Sequence, residues 1–368
     1  MYIWQKREWP DFTWEDKELS ALLARAYREQ GRLRGKMESM GFETRDETTL
    51  QTLTQDIVKS SEIEGEQLNS DQVRSSIARR LGMDIGGLTA CDRNVDGVVE
   101  MMLDATQNYR TPLTRDRLFG WHAALFPTGR SGMRYLMVGH WRLGESDPMQ
   151  VVSGSGRRER IHFEAPPASR VPTEMEHFLR WFNDPGNMDP LLFAGLAHLW
   201  YITIHPFEDG NGRMARAIAD MALARGENSP QRSYSMSTQI RRELNEYYEI
   251  LETTQKSTLD ITAWQSWFLK CLNDAFDDAH TRLSVALQKA KFWERFSREP
   301  LNERQIKVLH RVMENWQGNL TSSKWAKIAK CSQDTAGRDI NDLIKRGALM
   351  KDPGGGRSTS YSIIFEQS

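Results

Sequence analysis

Cysteine is scarce in this chain: Cys91, Cys271 and Cys331 lie far apart, with no C-x-x-C pair and no histidine spacing of a zinc site. A disulfide framework is excluded, and a reducing, cytoplasmic compartment is expected. Long apolar runs are missing as well. No stretch of 18 apolar residues occurs, so no membrane-spanning helix is expected. The opening Met-Tyr-Ile-Trp-Gln-Lys-Arg-Glu lacks the apolar stretch of a secretory signal. Internal repeats and low-complexity tracts are absent. Neither charge sign prevails: 49 Lys and Arg face 50 Asp and Glu, a net charge of -1. Within 301–368, however, 11 basic residues face 7 acidic ones, so a mild basic bias belongs to the C-terminal segment.

The remaining composition is that of a folded chain, 39% hydrophobic and 27% charged over 368 residues, a length that suggests two or three domains. An aromatic opening, Trp4, Trp9, Phe12 and Trp14, precedes a helical pattern from Lys17 to about Met40. A second helix is expected from about Glu47 to Glu64, with Gly65 as its C-terminal cap. Helical periodicity covers Asp92 to Thr128, Pro172 to Phe207, residues 213–224, Ser237 to Gln255, and Thr262 past Phe296 until Pro300. The clearest strand signal is a hairpin, Met149 to Ser153 and Arg160 to Ala165, around the glycine-rich turn Gly154-Ser-Gly156. The fold class expected is mainly α with one β-hairpin.

The chemistry concentrates in His205-Pro-Phe-Glu-Asp-Gly-Asn-Gly-Arg213, followed by Arg216. Pro206 disfavours helical geometry at His205, so the preceding helix should end there and present the imidazole at a loop. Phe207 is the expected plug into the core. Gly210 and Gly212 free backbone N–H groups to face an anion, at the point where the next helix begins with its positive end. Arg213 and Arg216, three apart on that helix, reach along one side toward a polyphosphate. Asp209 is placed to hold Mg2+, which takes carboxylate and phosphate oxygens. A base, a metal carboxylate, an anion nest and two arginines together suit phosphoryl or nucleotidyl transfer.

This string resembles the Fic signature H-P-F-x-D/E-G-N-G-R-x-x-R and matches it at every specified position. The resemblance implies a helical enzyme, a protein adenylyltransferase that moves AMP from ATP to a Ser, Thr or Tyr hydroxyl of a protein substrate, with Mg2+ and release of pyrophosphate. It implies His205 as general base and Asp209 as metal ligand. It makes Gly210, Asn211 and Gly212 the anion hole, and Arg213 and Arg216 the phosphate-binding pair. The hairpin at about 149–165 resembles the Fic flap, on which an extended target segment docks. Tyr248 and Gln255 fall on the adenine side, although many relatives have Asn where Gln255 stands. Upstream, Ser60-Ser-Glu-Ile-Glu64-Gly65 resembles the inhibitory motif S/T-x-x-x-E-G/N, which implies that Glu64, on a helix at about 47–65, lies against Arg216 and obstructs ATP. Self-modification and a homodimer are further expectations of the resemblance.

Residues 301–366 resemble a winged helix, with helices Glu303 to Trp316, Ser322 to Ala329 and Ser332 to Arg346 and a wing at Gly354 to Arg357. Lys330, Arg338, Lys345, Lys351 and Arg357 are its candidate phosphate contacts, with DNA or a protein as partner. The expected organisation is an N-terminal aromatic-helical segment 1–44, a Fic catalytic domain 45–298 and a winged-helix domain 299–368. Two alternatives stand beside transfer of AMP from ATP. One is a Fic enzyme that uses another nucleotide or removes AMP. The other is a winged-helix regulator whose Fic domain senses a nucleotide, against which an intact His205 and Asp209 argue.

Overall fold

The computed structural model describes residues 1–144, 148–153, 160–297, 300–315, 318–353 and 359–365. The turn Gly154-Ser-Gly156, Trp316 and the wing Gly354 to Arg357 lie outside the described residues. Two compact units are present, Met1–His280 and Thr281–Ser368.

In the first unit the helices are α1 (Asp16–Glu38), α2 (Phe42–Ile63), α3 (Ser70–Leu81), α4 (Arg93–Gln107), α5 (Arg115–Leu125), α6 (Val171–Asn183), α7 (Pro190–Ile204), α8 (Asn211–Glu227), α9 (Met236–Arg242), α10 (Leu244–Gln255) and the first part of α11 (Thr262–Arg295), up to His280. Two antiparallel pairs interrupt them: β1 (Arg130–Ser131) with β2 (Arg134–Tyr135), and β3 (Gln150–Ser153) with β4 (Arg160–Glu164). The molecule is mainly helical, as its composition and periodicity predict. The helical stretches at 92–128 and 172–207 each prove to be two helices. Pro112 precedes α5, and Pro190 restarts the chain as the first residue of α7, where a missing N–H costs nothing. Helix α3 is not among the expected helices; Asn69 caps it by accepting from Asp71 N and Gln72 N, and Gly82 closes it at φ 68°.

At the centre lies α7. Its run Leu191 to Ile204 is buried throughout, which is how a helix apolar on every side behaves. Against it packs α8, whose Ala215, Ala217, Ala219, Ala222 and Ala224 are all buried and leave room for close approach. The aromatic opening anchors the second strand of the hairpin. Trp4 Nε1 donates to Glu164 O at 2.7 Å, Trp9 Nε1 donates to Glu174 Oε2 at 2.8 Å, and the Tyr2 ring meets Phe163 edge-on.

In the second unit, α12 (Glu303–Asn315), α13 (Ser322–Ala329) and α14 (Gln333–Lys345) accompany a three-stranded antiparallel sheet in the order β5 (Leu320–Thr321), β7 (Ser360–Ile363), β6 (Leu349–Lys351). Trp325, Val308, Leu309, Ile340 and Leu343 fill its core together with Phe292 and Phe296. Those two phenylalanines explain why this unit begins inside α11 rather than at the Pro300 break on which the sequence reading divides the chain.

Candidate active site

Helix α7 stops at Ile204, and His205 follows in the left-handed region at φ 53°, ψ 59°. The helix ends at the residue before Pro206, and His205 N donates to Tyr201 O at 3.0 Å, a left-handed helix cap that turns the chain sharply. The imidazole Nδ1 lies 3.2 Å from Ile202 O. A carbonyl only accepts, so Nδ1 carries the proton and Nε2 keeps its lone pair. Burial holds the imidazole's pKa down at about 4, so it is neutral at pH 7. Phe207 is fully buried and stacks on His122, ring centroids 4.2 Å apart. Burial likewise lowers His122 to about 4.

The loop then closes on itself. Asn211 Oδ1 accepts from Phe207 N at 3.0 Å and its Nδ2 donates to Phe207 O at 2.8 Å, so this side chain shapes the turn. Asp209 Oδ1 accepts from Gly210 N at 2.6 Å. Gly210, at φ 80°, caps α8 in a conformation that side chains rarely adopt, with Phe126 and Leu125 against it.

Both arginines at the start of α8 are 2% exposed, and each meets a carboxylate delivered by the end of α2. Arg216 Nη2 donates to Glu64 Oε1 at 2.8 Å and to Ser60 O at 2.8 Å, while its Nε donates to Ser60 Oγ at 2.9 Å. Burial disfavours the Arg216 charge, but Glu64 together with Tyr247 and Tyr248 outweighs it, so the guanidinium pKa lies above its ordinary value. Arg213 Nη1 donates to Glu66 Oε2 at 2.6 Å, and its guanidinium lies over the Phe126 ring. Each arginine also keeps one buried nitrogen without a partner, Arg213 Nε and Arg216 Nη1. Unmet donors of this kind suit a larger anion than the carboxylates provide. A Cβ built on Gly212 would collide with Glu64 Oε1 and sit 2.9 Å from Glu64 Cδ, which places that carboxylate over the first turn of α8. Gly65, at φ 81°, permits the reversal between the two acids.

The structure thus brings together Ser60, Glu64, Gly65, His205, Asp209, Gly210, Asn211, Gly212, Arg213 and Arg216. Tyr248 joins their edge, its hydroxyl donating to Ile63 O at 3.3 Å and its ring 44% exposed. Gln255 is buried, its amide donating to Thr203 Oγ1 at 3.2 Å. Beside the loop, β4 is tied to α10 through Glu252, which takes His162 Nδ1 at 2.6 Å and Arg160 Nη2 at 2.9 Å.

Residues 112–223 match the Fic/DOC family model, and this span contains the whole loop, the hairpin and helices α5 to α7. These residues form a Fic/DOC domain. Ahead of the Fic/DOC domain, residues 2–83 match a domain of unknown function, DUF4172. Protein adenylyltransferase Fic of Drosophila yakuba is 26% identical over 230 residues, 61% of this chain and 41% of that protein. Its counterpart in Drosophila ananassae is 26% identical over 218 residues, 55% of this chain and 40% of that protein. The chain therefore spans less than half the length of these relatives. A Fic family protein from Desulfovibrio desulfuricans G20 shares the fold at TM-score 0.55 and 21% identity, over 98% of this chain and 99% of that one. A Fic domain containing signaling protein from Bacteroides thetaiotaomicron VPI-5482 matches at TM-score 0.50 and 20% identity, over 74% and 97%.

Missing from the sequence reading were Glu66, Arg142 and His122. Glu66 stands two residues after Glu64 in an acidic run, the one signal that was available. Arg142 and His122 gave no local signal.

Proposed function

We propose that this chain transfers AMP from ATP to a protein hydroxyl, releasing pyrophosphate, and that the end of α2 holds it inactive. The observation that carries the proposal is the neutral imidazole of His205, its Nε2 lone pair available, beside two buried arginines and the N-terminus of α8. His205 Nε2 takes the hydroxyl proton. The hydroxyl oxygen bonds to the α-phosphorus as the bond to the bridging oxygen breaks, and pyrophosphate leaves with that electron pair. Arg213, Arg216 and the first N–H groups of α8 stabilise the developing charge, the larger share of the acceleration.

Asp209 would hold Mg2+. One oxygen serves Gly210 N, and no group of three His, Cys, Asp or Glu among the described residues forms a metal cage, which fits an ion held chiefly by polyphosphate. Such an ion supplies charge neutralisation on the phosphates. We assign the adenine side to Tyr248, since the amide of Gln255 is already committed to Thr203.

Glu64 on Arg216 and Glu66 on Arg213 each engage an arginine that would receive phosphate, so each opposes ATP, Glu64 the more strongly. The hairpin presents its exposed edge to an extended target segment or to a segment of a second copy. The second unit reads as a winged helix: three helices and a three-stranded sheet, with Lys330, Arg338, Lys345 and Lys351 exposed, and Arg357 outside the described residues. Salt-sensitive binding of a DNA duplex by the full chain, lost on charge reversal of Arg338 and Lys345, tests that partner.

The deciding experiment is incorporation of α-labelled ATP, with Mg2+, by the wild type, Glu64→Gly and Glu64→Gly/His205→Ala. Label confined largely to Glu64→Gly supports transfer, base and brake together. Label in none of the three, with ATP bound, refutes AMP transfer and directs the assay to other nucleotides and to AMP removal.

A further inference from the structure

One buried charge near the site belongs neither to the phosphate-binding loop nor to the inhibitory segment. Arg142 is 5% exposed, and burial lowers its guanidinium to about 10, so it remains charged at pH 7. Its Nε donates to His205 O at 2.7 Å, and its Nη2 donates to Pro166 O and, at 3.5 Å, to Ile204 O. Its own backbone N donates to Pro206 O at 2.9 Å. Three successive carbonyls, 204 to 206, therefore end on one residue. They are among the groups that a helix C-terminus leaves without internal partners. The same position is strained, because a non-glycine residue in the left-handed region persists only where its surroundings over-determine it. Arg142 is the surrounding group that does so.

Its second attachment lies just beyond β4. Pro166 follows β4, which ends at Glu164, so one guanidinium joins the backbone of His205 to the base of the hairpin. A planar fork with several donors spans these acceptors at fixed angles, which a single ammonium does not.

We propose that Arg142 is a positioning residue for the transfer reaction, setting the direction of the His205 imidazole and its distance from the strand that presents the target hydroxyl. This rests on the transferase reading above. None of the hydrogen bonds of Arg142 reaches α8, so the nucleotide cradle does not depend on it. Among the charged groups that act on the imidazole, Arg142 lowers its proton affinity, while Glu64 and Asp209 raise it.

The test uses the full chain in the Glu64→Gly background with Arg142→Lys and Arg142→Met. A displacement of about 1 Å at a reacting group costs on the order of 100-fold in rate. The expected result for Arg142→Met is a loss of kcat of that order, with affinity for a non-hydrolysable ATP analogue unchanged. Arg142→Lys should recover only part of it. Independently of turnover, nitrogen NMR of His205 should show the Nδ1–H tautomer in the parent and a tautomer mixture in Arg142→Met. If the Met variant does not fold, the Lys variant decides. Retention of full kcat and of the Nδ1–H tautomer in Arg142→Lys overturns the proposal, as does a parallel loss of analogue affinity, which would make the residue merely structural. If the Glu64→Gly parent itself transfers nothing, the transferase reading fails, and the tautomer measurement still decides whether Arg142 orients His205.

Discussion

The loop from His205 to Arg216 and the hairpin meet at Arg142 but differ in how far their polar groups are already committed. Between Ile204 and Arg216 the side chains are enclosed, and Asn211, Asp209, Arg213 and Arg216 all hold defined partners. In the hairpin, four- and five-residue strands pair only with each other among the described residues, and Val151, Val152 and Ile161 remain 37%, 43% and 45% exposed. A two-stranded ribbon has two free edges. The contrast teaches a division of labour: the loop is organised before any ligand arrives, so little reorganisation is left for the reaction itself. On the function proposed above, the hairpin's open edges would be completed by the target, so selection of the target would be separate from the chemistry.

That division predicts effects of unequal size. In the Glu64→Gly background, His205→Ala should lower kcat by about 10²- to 10⁴-fold, the usual contribution of a general base, without changing ATP-analogue affinity. A variant that kept its rate would dissolve the loop half of the comparison. Glu64→Gly alone should raise transfer by about 5- to 150-fold, the span of ordinary coupling energies, and an unchanged rate of label incorporation would remove the inhibitory role of the α2 terminus.

Acid should strike the loop side through stability. Burial lowers His122 and His205 to about 4 and His198 to about 3, whereas the unfolded chain titrates near 6.5. Below 6.5 the unfolded state binds more protons, so this stabilisation is complete above pH 6.5 and is lost as pH falls toward 4. Each histidine contributes about 1.4 kcal/mol per pH unit in that window. Urea unfolding at pH 7, 6 and 5 measures the slope, and a stability that rises on acidification would contradict it.

On the hairpin side, Val152→Asp should raise KM for a protein target by about tenfold while leaving ATP-analogue affinity and melting temperature unchanged, because the residue already faces solvent. An equal loss in analogue binding would mean that the two regions are not separate. The smallest effect belongs to Glu66→Gln. Its carboxylate is 45% exposed, and such pairs contribute about 0.2–1 kcal/mol, so release of Arg213 should raise activity by no more than about fivefold over the wild type.

The loop was legible because its signals are local. Each residue type from His205 to Arg216 has a task set by its immediate neighbours, and the helix end, the buried Phe207 and the start of α8 all follow. The hairpin was legible by two strand-like segments flanking the glycine-rich turn Gly154-Ser-Gly156, and the end of α2 by Gly65. Pairings across the chain were not. Glu66 lies 147 residues from Arg213, and an acid in an acidic run reads as solvated. Arg142 reads as loop charge, because nothing nearby says that its guanidinium is enclosed by carbonyls from two other segments. Gln255 shows the reverse: helical spacing places it on α10, but only packing shows that its amide is spent on Thr203. The start of α2 at Phe42 escaped notice because that residue is 79% exposed and belongs to no apolar stripe.

Gly212 holds a further lesson. The Glu64 carboxylate occupies the space where a Cβ would stand, and a phosphate approaching the first turn of α8 would need that same space. On the function proposed above, one missing carbon is therefore shared by the silent and the active forms. Random substitution at 212 damages both forms at once, whereas substitution at 64 touches only the silent one. Constitutive activity is thus reached by mutation at the acid, and loss of all activity by mutation at the glycine, two residues whose side chains or lack of them meet at one point.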